Sequence, residues 1–293
     1  MNLASLITLA LRLSIMLVVF SLGLGVKPTA VLYLRRRPRL LARSLLSMNV
    51  AMPLVAGCVA TMFHLRPPVE IALLALAVSP VPPLLPRKGL KAGGHAPYIF
   101  SLLVAAALVA IVFIPPAVLL IGKTFGLNLR QSAASIAELV LLTVLLPLGA
   151  GILIRSFTPV LAARTMKPLS AAGSVLLLLS LISVLFTQAA AMVSLIGNGT
   201  LAAITGFVVA GLFIGHAIGG PKPGNRTTLA LFTAARHPGI AVVIASTNFP
   251  QEKLVLPTIL LYLLVNAIIS SAYLSWRRKL DVKRRPHLAN VPA

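Results

Sequence analysis

The chain has 293 residues, of which 58% are hydrophobic and 10% charged, and its mean hydropathy is +1.00. A soluble fold of this size has no core large enough for so much apolar side chain, whereas a bilayer does, and with aromatics at only 5% the apolar mass is mostly Leu, Ala, Val and Ile. The formal charge of +22 does not mark a nucleic-acid binder, because the basic residues sit in short gaps between long apolar runs, as the positive-inside rule arranges them.

A helix needs about 20 apolar residues to cross about 30 Å of hydrocarbon, and backbone groups in lipid must be bonded internally. That ruler predicts nine spans, near 3–26, 41–63, 68–91, 97–121, 132–154, 168–191, 199–219, 226–249 and 254–275. The first lacks a basic leader and a small-x-small cleavage site after Val26, so it reads as a retained span rather than a signal peptide. Cys58 is the single cysteine, which leaves no disulfide framework and no soft-metal site.

The charges test the count. Twenty of the 26 basic residues fall on one side: Lys27, Arg35, Arg36, Arg37, Arg39 and Arg43, then Arg87, Lys88 and Lys91, then Arg155, Arg164 and Lys167, then Lys222 and Arg226, and six from Arg277 to Arg285. Four lie opposite (Arg66, Lys123, Arg130 and Lys253), and Arg12 and Arg236 fall inside spans. A miscounted span would invert part of this split. It also orients the chain, with the N-terminus outside and the C-terminus in the cytoplasm. The residues after Trp276 read as a short, basic, solvated tail.

Two spans cannot be plain helices. The third carries Pro80, Pro82, Pro83 and Pro86 within seven residues, and each proline removes a backbone donor and clashes with the preceding turn. The eighth carries Arg236-His237-Pro238-Gly239 near its middle. Spans three and eight are five apart, so they insert in opposite directions, as corresponding helices of inverted repeats do. Paired interruptions of this kind point to a transporter's binding site, where half-helix ends face each other. A charge at a helix centre costs roughly 2.5–3.5 kcal/mol on insertion scales, so Arg236 faces a cavity or a partner. Its planar fork suits a carboxylate brought by a solute. The competing reading is that it bonds freed backbone carbonyls and props the break open. His237 either titrates as a proton-coupling group or caps the break as a neutral imidazole. Arg87 and Lys88 anchor the cytoplasmic end of the third span or attract an anion there. His216, Gln188 and Asn49 read as interhelical hydrogen-bonding residues.

Several segments together resemble the bile acid:sodium symporter family: Val19–Val26, Arg37-Pro38-Arg39 followed by Met52-Pro53, the proline-rich break, the run Arg226-Thr227…Gly239-Ile240-Ala241, and Leu264–Ser270. The resemblance runs over about residues 10–275. It implies two inverted five-helix repeats, here without the first helix, split into a panel and a core domain, and alternating-access transport of organic anions. It also implies that Met48, Leu85, Pro86, Ile99, Leu103, Phe232 and Arg236 occupy the family's sodium-ligand positions. None of these side chains offers an oxygen. Asn266 matches a family position that faces the solute, and Asn49 adjoins a sodium position.

The expectation is therefore an all-α polytopic membrane protein of about nine transmembrane helices in two inverted repeats with two broken, crossing helices. Residues 1–276 form one transporter domain (repeats about 3–121 and 132–275), and 277–293 form the basic cytoplasmic tail. It is placed in the plasma (inner) membrane. The expected function is secondary transport of a small organic, anionic solute. The expected solute site is Arg236, His237, Asn266, Asn49, Pro83, Leu85, Pro86 and Arg87. No cofactor or metal is expected; sodium coupling lacks its ligands, and a proton is the alternative coupling ion. No hydrolase or phosphate-loop motif is present, so no enzymatic role is expected. The second reading is a transport-inactive solute-binding sensor or partner subunit of the same fold.

Overall fold

The computed structural model describes residues 3–63, 65–125 and 132–284, and every regular element among them is helical. In chain order, α1 (Leu3–Leu24) is followed by the short α2 (Pro28–Val31) and a 3-10 turn at Tyr33–Arg36. The second span is α3 (Pro38–Leu46), a π-helical turn at Ser47–Ala51, and α4 (Met52–Met62). The third is α5 (Pro67–Val78), an unwound stretch 79–84, and α6 (Leu85–Lys91). Then come α7 (Ala96–Thr124), α8 (Ala133–Val140), a second π-helical turn at Leu141–Leu145, and α9 (Leu146–Phe157). The chain continues through α10 (Pro159–Ser194), α11 (Thr200–Ile218), α12 (Pro223–Ala234), an unwound stretch 235–237, α13 (Pro238–Asn248) and α14 (Val255–Arg284).

Seven of these helical rods are long and apolar enough to cross a membrane, and two shorter apolar helices, Leu9–Leu24 and Pro67–Val78, occupy the other two of the nine expected places. The chain is an integral membrane protein. Two boundaries differ from expectation. Pro168 does not start α10, which begins at Pro159, because the preceding nine residues continue the helix. The residues after Trp276 are not a loose tail as far as Arg284: Arg277 is only 6% exposed and its Nε donates to Thr227 Oγ1 at 3.2 Å, so α14 stays docked on α12. Arg130, Arg285 and the rest of the tail lie outside the described residues.

Glycines set how closely the helices approach. A Cβ on Gly23 of α1 would meet the backbone of Leu148 and Gly151, and one on Gly173 of α10 would lie 3.0 Å from Leu17 Cβ. Helices α1, α9 and α10 thereby form one bundle, packed by small residues as lipid-embedded helices are. Gly211 and Gly215 of α11 and Gly219 at its C-cap fall one turn apart, and a Cβ on each would sit 2.5–2.7 Å from the Cα of Ala234, Ala230 or Arg226. That stripe presses α12 against α11 along its length. The remaining helices gather around one continuous buried cluster that runs from Met48 through Leu76, Ile99 and Phe232 to Tyr262. A smaller cluster, Val18, Val19, Leu22, Phe100, Leu103 and Leu148, joins the two bundles.

A candidate solute site at the crossing of two broken helices

Prolines decide where carbonyls are left without helical partners. A carbonyl in an α-helix bonds the N–H four residues on, and in a π turn five residues on. Met48 lies in the π turn, and five residues on is Pro53. Ser79 is the extended residue that follows α5, so its carbonyl points out of the helical register, and four residues on Pro83 has no N–H to give. Ala234 ends α12, and four residues on is Pro238. All three carbonyls therefore lose their helical donor, and an unpaired buried carbonyl costs roughly 1–3 kcal/mol.

Two side chains supply what the prolines removed. Arg236 is 1% exposed and is the largest fully buried side chain among the described residues. Its NH2 group donates to the Met48 carbonyl at 2.7 Å and its NH1 group to the Ser79 carbonyl at 3.2 Å. The Tyr262 hydroxyl, from α14, donates to the Ala234 carbonyl at 2.6 Å and accepts from the Arg236 backbone N–H at 2.8 Å. The breaks also touch directly, since the His237 backbone N–H donates to the Pro80 carbonyl at 2.8 Å. A hydroxyl pair, Ser47 Oγ and Thr233 Oγ1 at 3.0 Å, adds a further link between the π turn and α12. The guanidinium thus ties three discontinuities together, as the propping reading requires. Its Nε has no partner.

His237 is buried and caps α13: its Nδ1 accepts from the Ile240 N–H at 3.3 Å, which requires a free lone pair on that nitrogen, while Nε2 is unpartnered. Pro83, Leu85 and Pro86 line the first break and are buried. Asn266 lies on α14 one turn beyond Tyr262, with its Oδ1 accepting from Ser270 Oγ at 3.0 Å. Asn49 is half-buried in the π turn beside Met48 and forms no side-chain hydrogen bond with a described residue. His216 does bond between helices, with Nδ1 2.7 Å from the Tyr273 hydroxyl.

Arg87 goes elsewhere. From α6 it reaches the other bundle, where it donates to Ser174 Oγ at 2.6 Å, to the Ser170 hydroxyl, and at 3.4 Å to Ser21 Oγ. Its donors are directed at serines of α1 and α10, and it joins the two bundles.

The positions that the resemblance makes sodium ligands are packed with hydrocarbon. Met48, Leu85, Ile99, Leu103 and Phe232 are all buried in the two apolar clusters. Gly89 lies between two of them, since a Cβ there would stand 3.0 Å from Ile99 Cδ1 and 3.8 Å from Phe232 Cε2. Among the described residues no group of His, Cys, Asp and Glu is arranged to hold a metal ion.

Sequence reasoning found Arg236, His237 and both breaks. It missed Tyr262, Ser79 and the serines around Arg87. Met48, Ser79 and Ala234 had a readable signal, a proline at the register of the lost donor. Tyr262 and the serines had none, because their partners are far away in the chain.

Fold and crossing together define a polytopic helical membrane protein with discontinuous helices, a class that carries solutes. A model of the Sodium Bile acid symporter family matches residues 12–197, well over half of the chain, and the chain belongs to that family, whose members are transporters. The match takes in the first break and ends before the second. No curated protein sequence matches the chain at a significant level.

Proposed function

We propose that the protein is a secondary carrier that moves a small organic anion by alternating access, with Arg236 as a fixed positive charge at the crossing. The observation that carries this reading is the meeting of the breaks: His237 N–H on the Pro80 carbonyl, and one guanidinium on the carbonyls of Ser79 and Met48. In this reading the two halves, about 3–121 and 132–275, are inverted repeats within one transmembrane domain, and the crossing lies near the bilayer midplane. Charge distribution supports an inner-membrane location with the N-terminus outside and the C-terminus in the cytoplasm.

Sodium is a hard cation that needs oxygen ligands. The side chains at the family's ligand positions supply none, and the carbonyls at the crossing are taken, those of Met48 and Ser79 by Arg236, that of Ala234 by Tyr262 and that of Pro80 by the His237 N–H. The cation is then part of the chain, and the charge that an ion would bring is permanent. The guanidinium keeps an unpartnered, fully buried Nε–H, and its planar fork suits a carboxylate that enters when the crossing opens. Arg87 supports the movement: it fastens α6 to the α1–α10 bundle, and that link must open for one bundle to slide against the other.

Uptake of a panel of organic acids into proteoliposomes, with sodium and pH gradients set independently, tests the reading. At least one organic acid is expected to accumulate without sodium. Accumulation that follows the proton gradient and disappears in His237→Gln would assign the coupling to His237. If no acid is taken up while solutes still raise the melting temperature, the chain is a solute-binding sensor that has lost transport.

A further inference from the structure

Away from the crossing, an open cavity of about 430 Å³ lies where α3 begins and α11 turns into α12. Arg37, Arg39, Arg43, Lys222 and Asn225 line it, with the Gly219–Pro221 turn as its floor, and no acidic residue does. The arrangement gathers four cations with no acidic partner on the lining. Arg39 and Arg43 are one turn apart on the same face, where like charges repel. Arg37 occupies the N-cap position of α3 and Lys222 that of α12, with no side-chain capping bond, so both cations sit at the positive ends of helix dipoles, where anions belong. Arg37 is also held in place, its guanidinium 4.4 Å from the centroid of the Tyr33 ring, which in turn packs on His95 at 4.9 Å. Burial, with Lys222 and Arg37 adding to it, holds the His95 imidazole below its ordinary pKa, a mark of the positive potential gathered here.

A second observation points to a ligand. Asn225 is 5% exposed and lines this cavity, yet its side chain hydrogen-bonds no residue of the described protein. The side chain is otherwise buried, so what it leaves accessible opens on the cavity, beside two helix N-termini and four cations.

We propose that this cavity binds a phosphoryl group, supplied by the headgroup of an anionic lipid or by a soluble phosphate compound. Three arginine forks and a lysine match the charge and the tetrahedral oxygens of phosphate, and the positive ends of two helix dipoles add to the field. The cavity lies on the side of the chain that carries twenty of its basic residues, where anionic headgroups are recognised by basic pockets between helices. All of its lining comes from the bundle that holds the crossing, and α12 runs from the cavity straight to the break at Arg236. The inference does not rest on the transport reading.

Melting temperatures of the full chain in detergent provide the test, with short-chain phosphatidylglycerol, short-chain phosphatidylcholine, inorganic phosphate, or acetate at matched ionic strength. Phosphatidylglycerol, phosphate or both are expected to stabilise the wild type, and phosphatidylcholine and acetate are not. Arg39→Gln/Arg43→Gln and, separately, Asn225→Ala are expected to weaken that response at least tenfold in half-saturating concentration. Arg278→Gln/Lys279→Gln, on the exposed face of α14, is expected to leave it within twofold. A response to lipid alone assigns the headgroup, and a response to phosphate alone assigns a soluble compound. No response to either, or one that Asn225→Ala leaves unchanged, overturns the proposal. The asparagine variant keeps the test readable if the arginine pair fails to fold.

Discussion

The two helix breaks are built from opposite materials. The first, 79–84, is rich in proline and offers carbonyls: Ser79 and Pro80 accept, and prolines at 80, 82 and 83 withhold donors. The second, 235–237, offers donors: the Arg236 guanidinium and the backbone N–H groups of Arg236 and His237 all donate. Each break alone leaves polar groups that lipid or a packed core cannot satisfy. Together they are largely complementary, and the donor break needs no outside cation to hold the acceptor break. This difference lets the crossing hold together while the positions that the family resemblance makes sodium ligands carry Met, Leu, Ile and Phe, as the proposed function requires.

Removing the main donor is the strongest way to break this complementarity. Arg236→Gln cannot reach both carbonyls, and each one left buried and unpaired costs roughly 1–3 kcal/mol. A large drop in melting temperature and a loss of uptake of about tenfold or more are expected, the factor that 1.4 kcal/mol produces. Arg236→Lys keeps the charge but not the fork, and intermediate values are expected.

Tyr262→Phe attacks the same joint from α14. It strips the Ala234 carbonyl of its donor and the Arg236 N–H of its acceptor, with an expected loss of about 1–3 kcal/mol read as a lower midpoint of thermal unfolding. Arg87→Ala leaves the crossing intact and cuts the link between bundles. Here the melting temperature should change little, while cysteines placed along the interface between α6 and α10 should become more reactive to a soluble thiol reagent. The smallest effect is expected for Ser47→Ala, which removes one interhelical hydroxyl pair; such bonds average about 0.6 kcal/mol in membrane proteins. If Ser47→Ala proved as damaging as Arg236→Gln, the weight given to the guanidinium would be misplaced.

Much of this was legible in the sequence because lipid is an unforgiving solvent. Apolar run length marked the nine places that seven long apolar helices and two shorter ones fill among the described residues, and prolines 80 to 86 with Arg236-His237-Pro238 marked both breaks. The helical extension to Arg284 was not legible, since nothing local shows that the Arg277 side chain is buried against Thr227. Nor was the role of Arg87: a basic residue at a span end reads as an anchor until the serines of two other helices are seen around it. The hydrogen bonds of Arg236 were half legible. A buried arginine demanded acceptors, and Pro53 and Pro83 had already freed them, but only the fold shows that Met48 and Ser79 meet at one guanidinium.

The claim that the cation is built into the chain is tested most directly by sodium linkage. A ligand that binds only the folded state raises its melting temperature as concentration rises. The detergent-purified wild type should melt at the same temperature in sodium chloride and in choline chloride at every matched concentration, and Arg236→Gln should melt lower in both. A wild-type midpoint that climbs with sodium but not with choline would show that the crossing still holds an ion, and the central claim would fall.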